Sequence, residues 1–139
     1  MSAFEQAKRF FEACEAPRGW DGCREFVADG AAFEAQSDAL AEVNTVADYC
    51  DWMHHFATEI APGATYELHA AAFDESRRVA TFFATYHARH TGAGGPVEPT
   101  GRETRSHYVY VLKMDGDDKV AHMIKIWNDH WAVRDLGWA

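Results

Sequence analysis

The hydrophobic pattern of this chain changes its period once, near residue 64, and that change constrains the fold more than any other feature. Before it, apolar residues recur at helical spacing, as Phe4, Ala7 and Phe11 do. After it, apolar and polar residues alternate in four long runs, at 64–74, 78–90, 103–114 and 119–129. Helices followed by consecutive strands predict an α+β domain with a mostly antiparallel sheet.

Three helices are predicted in the N-terminal part. Ser2 and Glu5 form a capping box that opens the first helix, a short second helix includes Trp20, and a third opens at Thr45. A short strand is predicted at 31–35, and a short helix follows the last strand. The long strands exceed the usual ~5–6 residues and can curl round a helix layer. We therefore expect a cone-shaped barrel, with three N-terminal helices packed on a curved sheet and room left for a ligand.

Size and charge limit the kinds of partner that this protein can have. The 139 residues are close to the usual size of one domain, so we expect a single domain over 1–139. The net charge of −9 argues against nucleic acid and anionic membranes, because both attract clustered Lys and Arg. The sequence has no apolar run near the ~18 residues of a membrane span, and its first residues lack a signal-type apolar stretch. These features favour a cytoplasmic protein.

Cysteines and histidines give no metal-binding pattern. The three cysteines, Cys14, Cys23 and Cys50, are odd in number and form no CxxC pair, so we expect them to be free, reduced and buried. Among the eight histidines, His87 and His90 are three apart on a predicted strand and would point to opposite faces. The sequence thus predicts neither a metal site nor another cofactor.

Two C-terminal motifs carry a family resemblance. The loop HTGAGGPVEPTGR at 90–102 and the tail RDLG at 134–137, with a hairpin turn at MDG between them, resemble the SnoaL-like polyketide cyclase branch of the nuclear transport factor 2-like superfamily, which includes ketosteroid isomerase. The resemblance covers essentially the whole chain and implies a cone-shaped fold. It also implies a cofactor-free enzyme, in which an Asp on the last strand removes a proton from a polyketide ester and the resulting enolate closes a ring. An apolar cavity would raise the pKa of such a carboxylate towards a useful base strength.

The resemblance can be carried over position by position. The family's catalytic Asp lies six residues after the Lys of the turn and twelve before the Gly of the tail, and both counts, from Lys119 and from Gly137, fall on Lys125. A lysine therefore occupies the position of the family's base. The other pocket positions of the family fall as follows: a second acidic position on Asn128, and two polar positions of the preceding strand on His107 and Val109.

Alternation around KIWND suggests a substitute for the missing base. It places Met123, Lys125, Trp127 and Asp129 on one face, and we expect that face, with His107 of the neighbouring strand, to line the cavity. Asp129 would then transfer the proton and Lys125 would stabilise the enolate. The alternative is a Lys125–Asp129 ion pair that anchors the C-terminal tail.

The sequence leaves open whether the helix layer and the loop at 92–101 contribute to the pocket. Trp20 and Tyr49 belong to the helix layer and either reach the ligand or pack in the core. The loop at 92–101, rich in Gly and Pro, either forms part of the cavity mouth or simply connects two strands.

The opposite sheet face predicts a homodimer. We expect it to carry an apolar strip that a second subunit covers, formed by Tyr108, Tyr110, Leu112, Ile124 and Ile126. The alternative is that a β-bulge inverts this assignment of faces.

The function that follows is cofactor-free acid/base chemistry on a small hydrophobic or aromatic carbonyl compound, of cyclase, isomerase or dehydratase type. The alternative is a non-catalytic module of the same fold that binds a hydrophobic ligand or mediates dimerisation.

Overall fold

The computed structural model describes residues 2–139, which form four helices on a five-stranded mixed sheet. The helices are α1 (Ala3–Glu15), α2 (Gly19–Cys23), α3 (Val46–His55) and α4 (Asp129–Leu136). The strands are β1 (Val27–Ala35), β2 (Thr65–Asp74), β3 (Val79–Arg89), β4 (Glu103–Met114) and β5 (Val120–Trp127). This architecture confirms the predicted α+β class and the order of its elements.

The predicted helix starts are confirmed by their caps. The Ser2 side chain accepts a hydrogen bond from the backbone N–H of Glu5 at 3.2 Å, and the Thr45 side chain accepts one from Asp48 at 3.1 Å. Each cap satisfies a backbone donor that the first helical turn leaves free. α3 continues as one wide turn over Phe56–Ile60. None of the described helices is long and apolar enough to cross a bilayer.

The strands are arranged in the order β1-β5-β4-β3-β2. β1 runs parallel to β5, and the other three pairs are antiparallel. β1 is longer than the five residues predicted at 31–35, because it extends back to Val27. β1 and β2 are edge strands, so the sheet stays open and does not close into a barrel.

A β-bulge between β4 and β5 reverses the predicted faces of β4. Met114 pairs with Val120, but Lys113 pairs with His122, so Ala121 is an extra residue on β5. An unbroken ladder from Met114 would have placed Tyr110 opposite Ile124. The ladder instead pairs Tyr110 with Lys125 and Tyr108 with Trp127, and residues paired in this way project on the same side of the sheet.

The predicted apolar strip is therefore wrong in three of its five members. Tyr108, Tyr110 and Leu112 are at most 2% exposed and lie under the helices. Ile124 and Ile126 do lie on the outer face, where Ile126 is 59% exposed. The helix layer covers the inner face with aromatic contacts, for example from Phe11 to Phe82 at 4.8 Å and to Tyr110 at 4.9 Å between ring centroids.

The end of β5 also differs from the prediction. The strand stops at Trp127, and Asn128 is the N-cap of α4, where its side chain accepts a hydrogen bond from the backbone of Trp131. Asp129 is the first residue of that helix, so the alternation that placed it beside Lys125 does not extend to it. α4 ends at Leu136, and Gly137 after it has a φ of 78°, the left-handed conformation that glycine adopts without strain.

Candidate active site

A cavity of about 190 Å³ lies between α3, α4 and the inner face of β3, β4 and β5. Its wall is largely aromatic, and the aromatic members are Trp52, Phe56, Tyr86, Tyr108, Trp127 and Trp138. Lys125 is the charged residue of this lining, and Thr104 and Ser106 add hydroxyl groups. An apolar cavity with few polar groups is the usual form of a small-molecule site.

The Lys125 amine is buried among aromatic rings. Lys125 is 6% exposed. Its Nζ lies near four ring centroids, at 4.8 Å from that of Trp127, 5.1 Å from that of Tyr49, 5.2 Å from that of Tyr108 and 5.7 Å from that of Trp52. Burial lowers the pKa of Lys125 to about 8, because an ammonium group loses its hydration in such a site. The ring faces oppose this effect, since they attract a cation. The amine therefore changes its charge near neutral pH.

A chain of hydrogen bonds joins this amine to a buried carboxylate. Lys125 Nζ donates to the Tyr49 hydroxyl at 2.9 Å, and the Tyr49 and Tyr110 hydroxyls lie 3.0 Å apart. The Tyr110 hydroxyl also donates to Glu15 Oε1. Burial raises the pKa of Glu15 to about 7, although the positive charge of Lys125 acts in the opposite direction. A base and an acid with pKa values close to neutrality are thus joined through two phenols.

Two tyrosine hydroxyls are buried in the cavity wall. The Tyr86 hydroxyl makes no hydrogen bond within the described residues, whereas the Tyr108 hydroxyl interacts with the buried Glu15 carboxylate. Burial raises the pKa of both phenols, so they stay protonated and can donate. Ser106 differs from Tyr86, because its Oγ already accepts a hydrogen bond from Trp127 Nε1 at 3.1 Å. A buried donor without a partner costs stability unless a ligand or water satisfies it.

The loop at 92–101 closes part of the cavity. The backbone N–H of Gly92 donates to the carbonyl of Ile60 at 2.9 Å, and a Cβ at this glycine would lie 1.7 Å from the carbonyl oxygen of Glu59. Only glycine fits at position 92, because any side chain would clash with this backbone oxygen. Pro96 of the same loop contributes to the lining, and Trp138 Nε1 donates to His90 Nδ1 at 2.9 Å beside it. The loop is therefore part of the wall.

Three of the sequence-predicted site residues meet at this cavity. Lys125 and Trp127 line it, and Tyr49 lies behind the wall with its hydroxyl on Lys125. Met123 is buried on the same sheet face but lies outside the lining. Trp20 packs on a different side of α3, where its backbone N–H donates to Asp51 Oδ1 at 3.0 Å, so it does not reach the cavity.

His107 and Val109 lie on the outer sheet face, so the expectation that they line the cavity is wrong. The bulge at Ala121 is the physical cause, because it shifts β5 by one residue against β4. The His107 Nδ1 lies 2.9 Å from the Thr85 hydroxyl, and Val109 pairs with Ile126.

Asp129 also lies outside the cavity lining. Its Oδ2 accepts hydrogen bonds from the Ser37 hydroxyl at 2.7 Å and from the backbone N–H of Asp38 at 3.1 Å. No ion pair between Asp129 and Lys125 occurs in the part of the chain that the structure describes. Neither predicted arrangement of these two residues is therefore present. Asp129 joins the start of α4 to the turn before α3, and Asn128 is an exposed helix cap.

The sequence did not identify Glu15 as a site residue, and it placed Tyr108 and Tyr110 on the wrong face of the sheet. Glu15 is 4% exposed and lies on the apolar face of α1, four residues after Phe11 and eight after Ala7. A carboxylate on the core stripe of an amphipathic helix was the available signal, since buried charges are rare unless they are paired. Tyr108 and Tyr110 were assigned to the opposite face by the missed bulge.

An aromatic cavity with a buried amine, on an open α+β sheet, defines a small-molecule-binding domain. The chain belongs to the SnoaL-like domain family, whose model matches residues 7–123. This match confirms the predicted family resemblance. No curated protein sequence matches the chain.

Solved structures confirm the fold. A protein from Jannaschia sp. CCS1 assigned as a SnoaL-like polyketide cyclase is 14% identical, with a TM-score of 0.77, and the match covers 99% of this chain and 92% of that one. IdmH from Streptomyces antibioticus, assigned as a polyketide cyclase, is 15% identical with a TM-score of 0.76, and the match covers 99% of both chains. AclR from Streptomyces galilaeus, assigned as a hydroxylase, is 20% identical with a TM-score of 0.75 and coverage of 99% and 84%. At these identities the likeness concerns the fold alone.

Proposed function

We propose that the protein is a cofactor-free enzyme that transfers a proton on a small hydrophobic carbonyl compound, with the Lys125 amine as the proton-transfer group. The observation that carries this proposal is a buried amine, 6% exposed, with a pKa of about 8 in the wall of an aromatic cavity. A general base works best when its pKa lies near the operating pH. The lysine replaces the Asp that the family resemblance implies at this position.

The proposed reaction begins with the neutral form of Lys125. The amine removes a proton from the carbon next to the carbonyl, which leaves an enolate and an ammonium group. The Tyr86 hydroxyl donates a hydrogen bond to the enolate oxygen, where the negative charge develops. The enolate carbon then either attacks a second carbonyl of the same molecule or takes a proton at a new position. Lys125 returns its proton in both routes, to the new alkoxide or to carbon, so the balance needs no oxidant or cofactor.

Glu15, Tyr49 and Tyr110 position and tune the amine in this proposal. They are not members of the cavity lining, but the hydrogen bonds through the two phenols fix Lys125 Nζ on one side. The charge of Glu15 raises the pKa of Lys125 and so counteracts the effect of burial. Asp129, our first candidate for the base, has no part in the proposed chemistry.

The cavity limits the size of the ligand. Its volume of about 190 Å³ is only somewhat larger than the roughly 150 Å³ of an engineered protein cavity that holds benzene. We therefore propose a ligand with one ring or a comparable short chain, such as an aryl ketone or a cyclic enone. Larger polyketides would need the loop at 92–101 to move.

A non-catalytic binding module is the alternative, and two observations favour it. No carboxylate lines the cavity among the described residues, and the amine already has Tyr49 as a partner. Such a module would bind the same ligands without changing them. Binding and proton exchange therefore have to be measured on the same compounds.

The proposal is tested by deuterium exchange. A panel of small aryl ketones and cyclic enones is incubated in heavy water with the protein, exchange at the carbon next to the carbonyl is followed by NMR, and affinity is measured by calorimetry. We expect Lys125→Met to lower the exchange rate by about 10²–10⁴-fold while it retains binding of the neutral ketone. Lys8→Met, an exposed lysine on α1, is the matched control and should leave both unchanged. Binding without catalysed exchange in the parent protein would favour the binding module.

We also propose a homodimer through the outer sheet face. Phe83, Val109 and Ile126 form a row across three strands, because Phe83 pairs with Val109 and Val109 with Ile126. Phe83 is 38% exposed and Ile126 59%, and exposed apolar rows of this kind often mark interfaces. This row replaces the strip that the sequence predicted.

We further propose that the protein works in the cytoplasm. Its three cysteines are free thiols, as predicted, and free thiols are typical of reducing compartments.

A further inference from the structure

Three cysteines from three helices meet at one point in the core. Cys14 lies on α1, Cys23 at the end of α2 and Cys50 on α3. Their sulfur atoms all lie within 4.8 Å of one another, and each residue is at most 1% exposed. The cluster lies outside the cavity lining, and the proposed reaction does not use it. No sequence pattern predicted this cluster, because the three positions have no regular spacing.

The spacing of the sulfur atoms is close to that of a metal site. An ion held by three sulfurs at about 2.3 Å keeps those sulfurs roughly 4 Å apart if the site is planar and roughly 3.4 Å apart if it is pyramidal, as a lone pair makes it for arsenic(III). Small rotations of the side chains would therefore bring all three onto one ion. No His, Asp or Glu among the described residues joins the group, so its ligands are sulfur alone. Such a set selects soft ions over magnesium or calcium.

Binding requires all three thiols to lose their protons, because the thiolate is the form of cysteine that binds metals. Cys23 is the last residue of the five-residue helix α2, and Arg24 after it is exposed.

We propose that Cys14, Cys23 and Cys50 form a binding site for one three-coordinate, thiophilic trivalent ion, of the chemistry of arsenic(III). The charge state favours a trivalent ion, because three thiolates and one trivalent ion are neutral together. A monovalent or divalent ion would leave net negative charge in the core, which is costly. Arsenous acid exchanges its three hydroxyls for three sulfurs, and each thiol proton leaves with a hydroxyl as water. Nothing is oxidised or reduced.

The experiment uses the full chain, reduced with a phosphine rather than a thiol. The protein is incubated with arsenite, desalted and examined by native mass spectrometry and by thiol titration after unfolding. We expect one bound arsenic per chain, a mass increase of one arsenic less three hydrogens, and the loss of all three reactive thiols. The thermal midpoint of the parent protein should also rise with arsenite concentration, because the ion binds the folded state.

Single substitutions identify the ligands. Cys14→Ser, Cys23→Ser and Cys50→Ser each leave two thiols, and each should weaken arsenite binding at least tenfold. Ala13→Ser, a buried position next to Cys14, is the matched control for a general disturbance of α1 and should bind like the parent. If one of the serine variants does not fold, the thiol count and the thermal shift of the parent protein still decide the matter.

Four results would overturn the proposal. These are no retained arsenic in the parent protein, protection of only two thiols, equal binding by the serine variants, and a disulfide formed in place of the arsenic adduct under the reducing conditions. Stronger retention of zinc(II) or copper(I) in a competition experiment would overturn the assignment to a trivalent ion.

Discussion

Lys125 Nζ donates a hydrogen bond of 2.9 Å to the hydroxyl of Tyr49, which lies on α3 and is fully buried. The bond crosses from the sheet to the helix layer and holds the amine at the back of the cavity. Because burial lowers the pKa of Lys125 to about 8, an appreciable minority of the Lys125 amine is neutral at physiological pH. The same contact makes the amine sensitive to Glu15, two hydroxyls further along the chain of hydrogen bonds.

The rate of catalysed proton exchange is expected to rise with pH. The reactive form is the neutral amine, whose fraction increases as the pH rises through about 8. kcat/KM should therefore increase by about tenfold per pH unit well below this value and level off above it. The measurement is the exchange assay between pH 5.5 and 10, with circular dichroism as a check on folding. A rate that falls over this range would assign the ammonium, not the amine, as the reactive form.

Glu15→Gln is expected to move this pH profile towards acid. The negative charge of Glu15 raises the pKa of Lys125, so its removal lets burial lower that pKa further, below 8. The amide keeps an oxygen that can accept the hydrogen bond from Tyr110. Glu12→Gln, on the exposed face of the same helix, is the matched control and should leave the midpoint unchanged. An unchanged midpoint in the Glu15 variant would remove that residue from the proposed network.

The order of the elements could be predicted because it depends on local periodicity and capping. The starts of α1 and α3 followed from Ser2 and Thr45, and the long strands followed from the change of period near residue 64. These signals are contained within each segment. The predicted barrel did not close, because closure depends on how the edge strands β1 and β2 meet, which no local pattern records.

The candidate site was harder to predict because it depends on the register between segments. One extra residue, Ala121, decides which side of β4 faces Lys125, and it moved His107 out of the cavity and Tyr108 into it. A β-bulge has no strong sequence signal. The change from strand to helix after Trp127 removed Asp129 in the same way, since alternation holds only inside a strand.

Asp129→Asn is expected to lower stability and leave turnover unchanged. The carboxylate accepts hydrogen bonds from Ser37 and Asp38, and loss of its charge should reduce the free energy of unfolding by about 1–2 kcal/mol. Chemical denaturation and the exchange assay measure the two effects. Ser37→Ala should have a similar effect on stability, and the double variant should show less than the sum because both changes remove the same contact. A loss of exchange of the size expected for Lys125→Met would restore Asp129 as the base.

Ile126→Glu is expected to convert a dimer to a monomer. The charge would lie at the β5 end of the apolar row formed with Phe83 and Val109, where burial of an unpaired carboxylate is costly. Sedimentation at micromolar concentration measures the change. Val97→Glu, an exposed apolar residue in the loop away from the sheet, is the control and should remain dimeric. A parent protein that sediments as a monomer would contradict the proposed interface.

Tyr86→Phe separates a functional hydroxyl from a structural one. The Tyr86 hydroxyl is buried in the cavity wall without a hydrogen-bond partner, so its removal should leave the free energy of unfolding unchanged or raise it. The same change should slow proton exchange by about 10–10³-fold, because one donor to the enolate oxygen is lost. Binding of the neutral ketone should weaken less than binding of a phenolate, which resembles the enolate. Tyr66→Phe, a half-buried tyrosine outside the cavity lining, is the matched control for both measurements. A Tyr86 variant that loses stability but not exchange would show that the hydroxyl serves the fold and would remove it from the proposed mechanism.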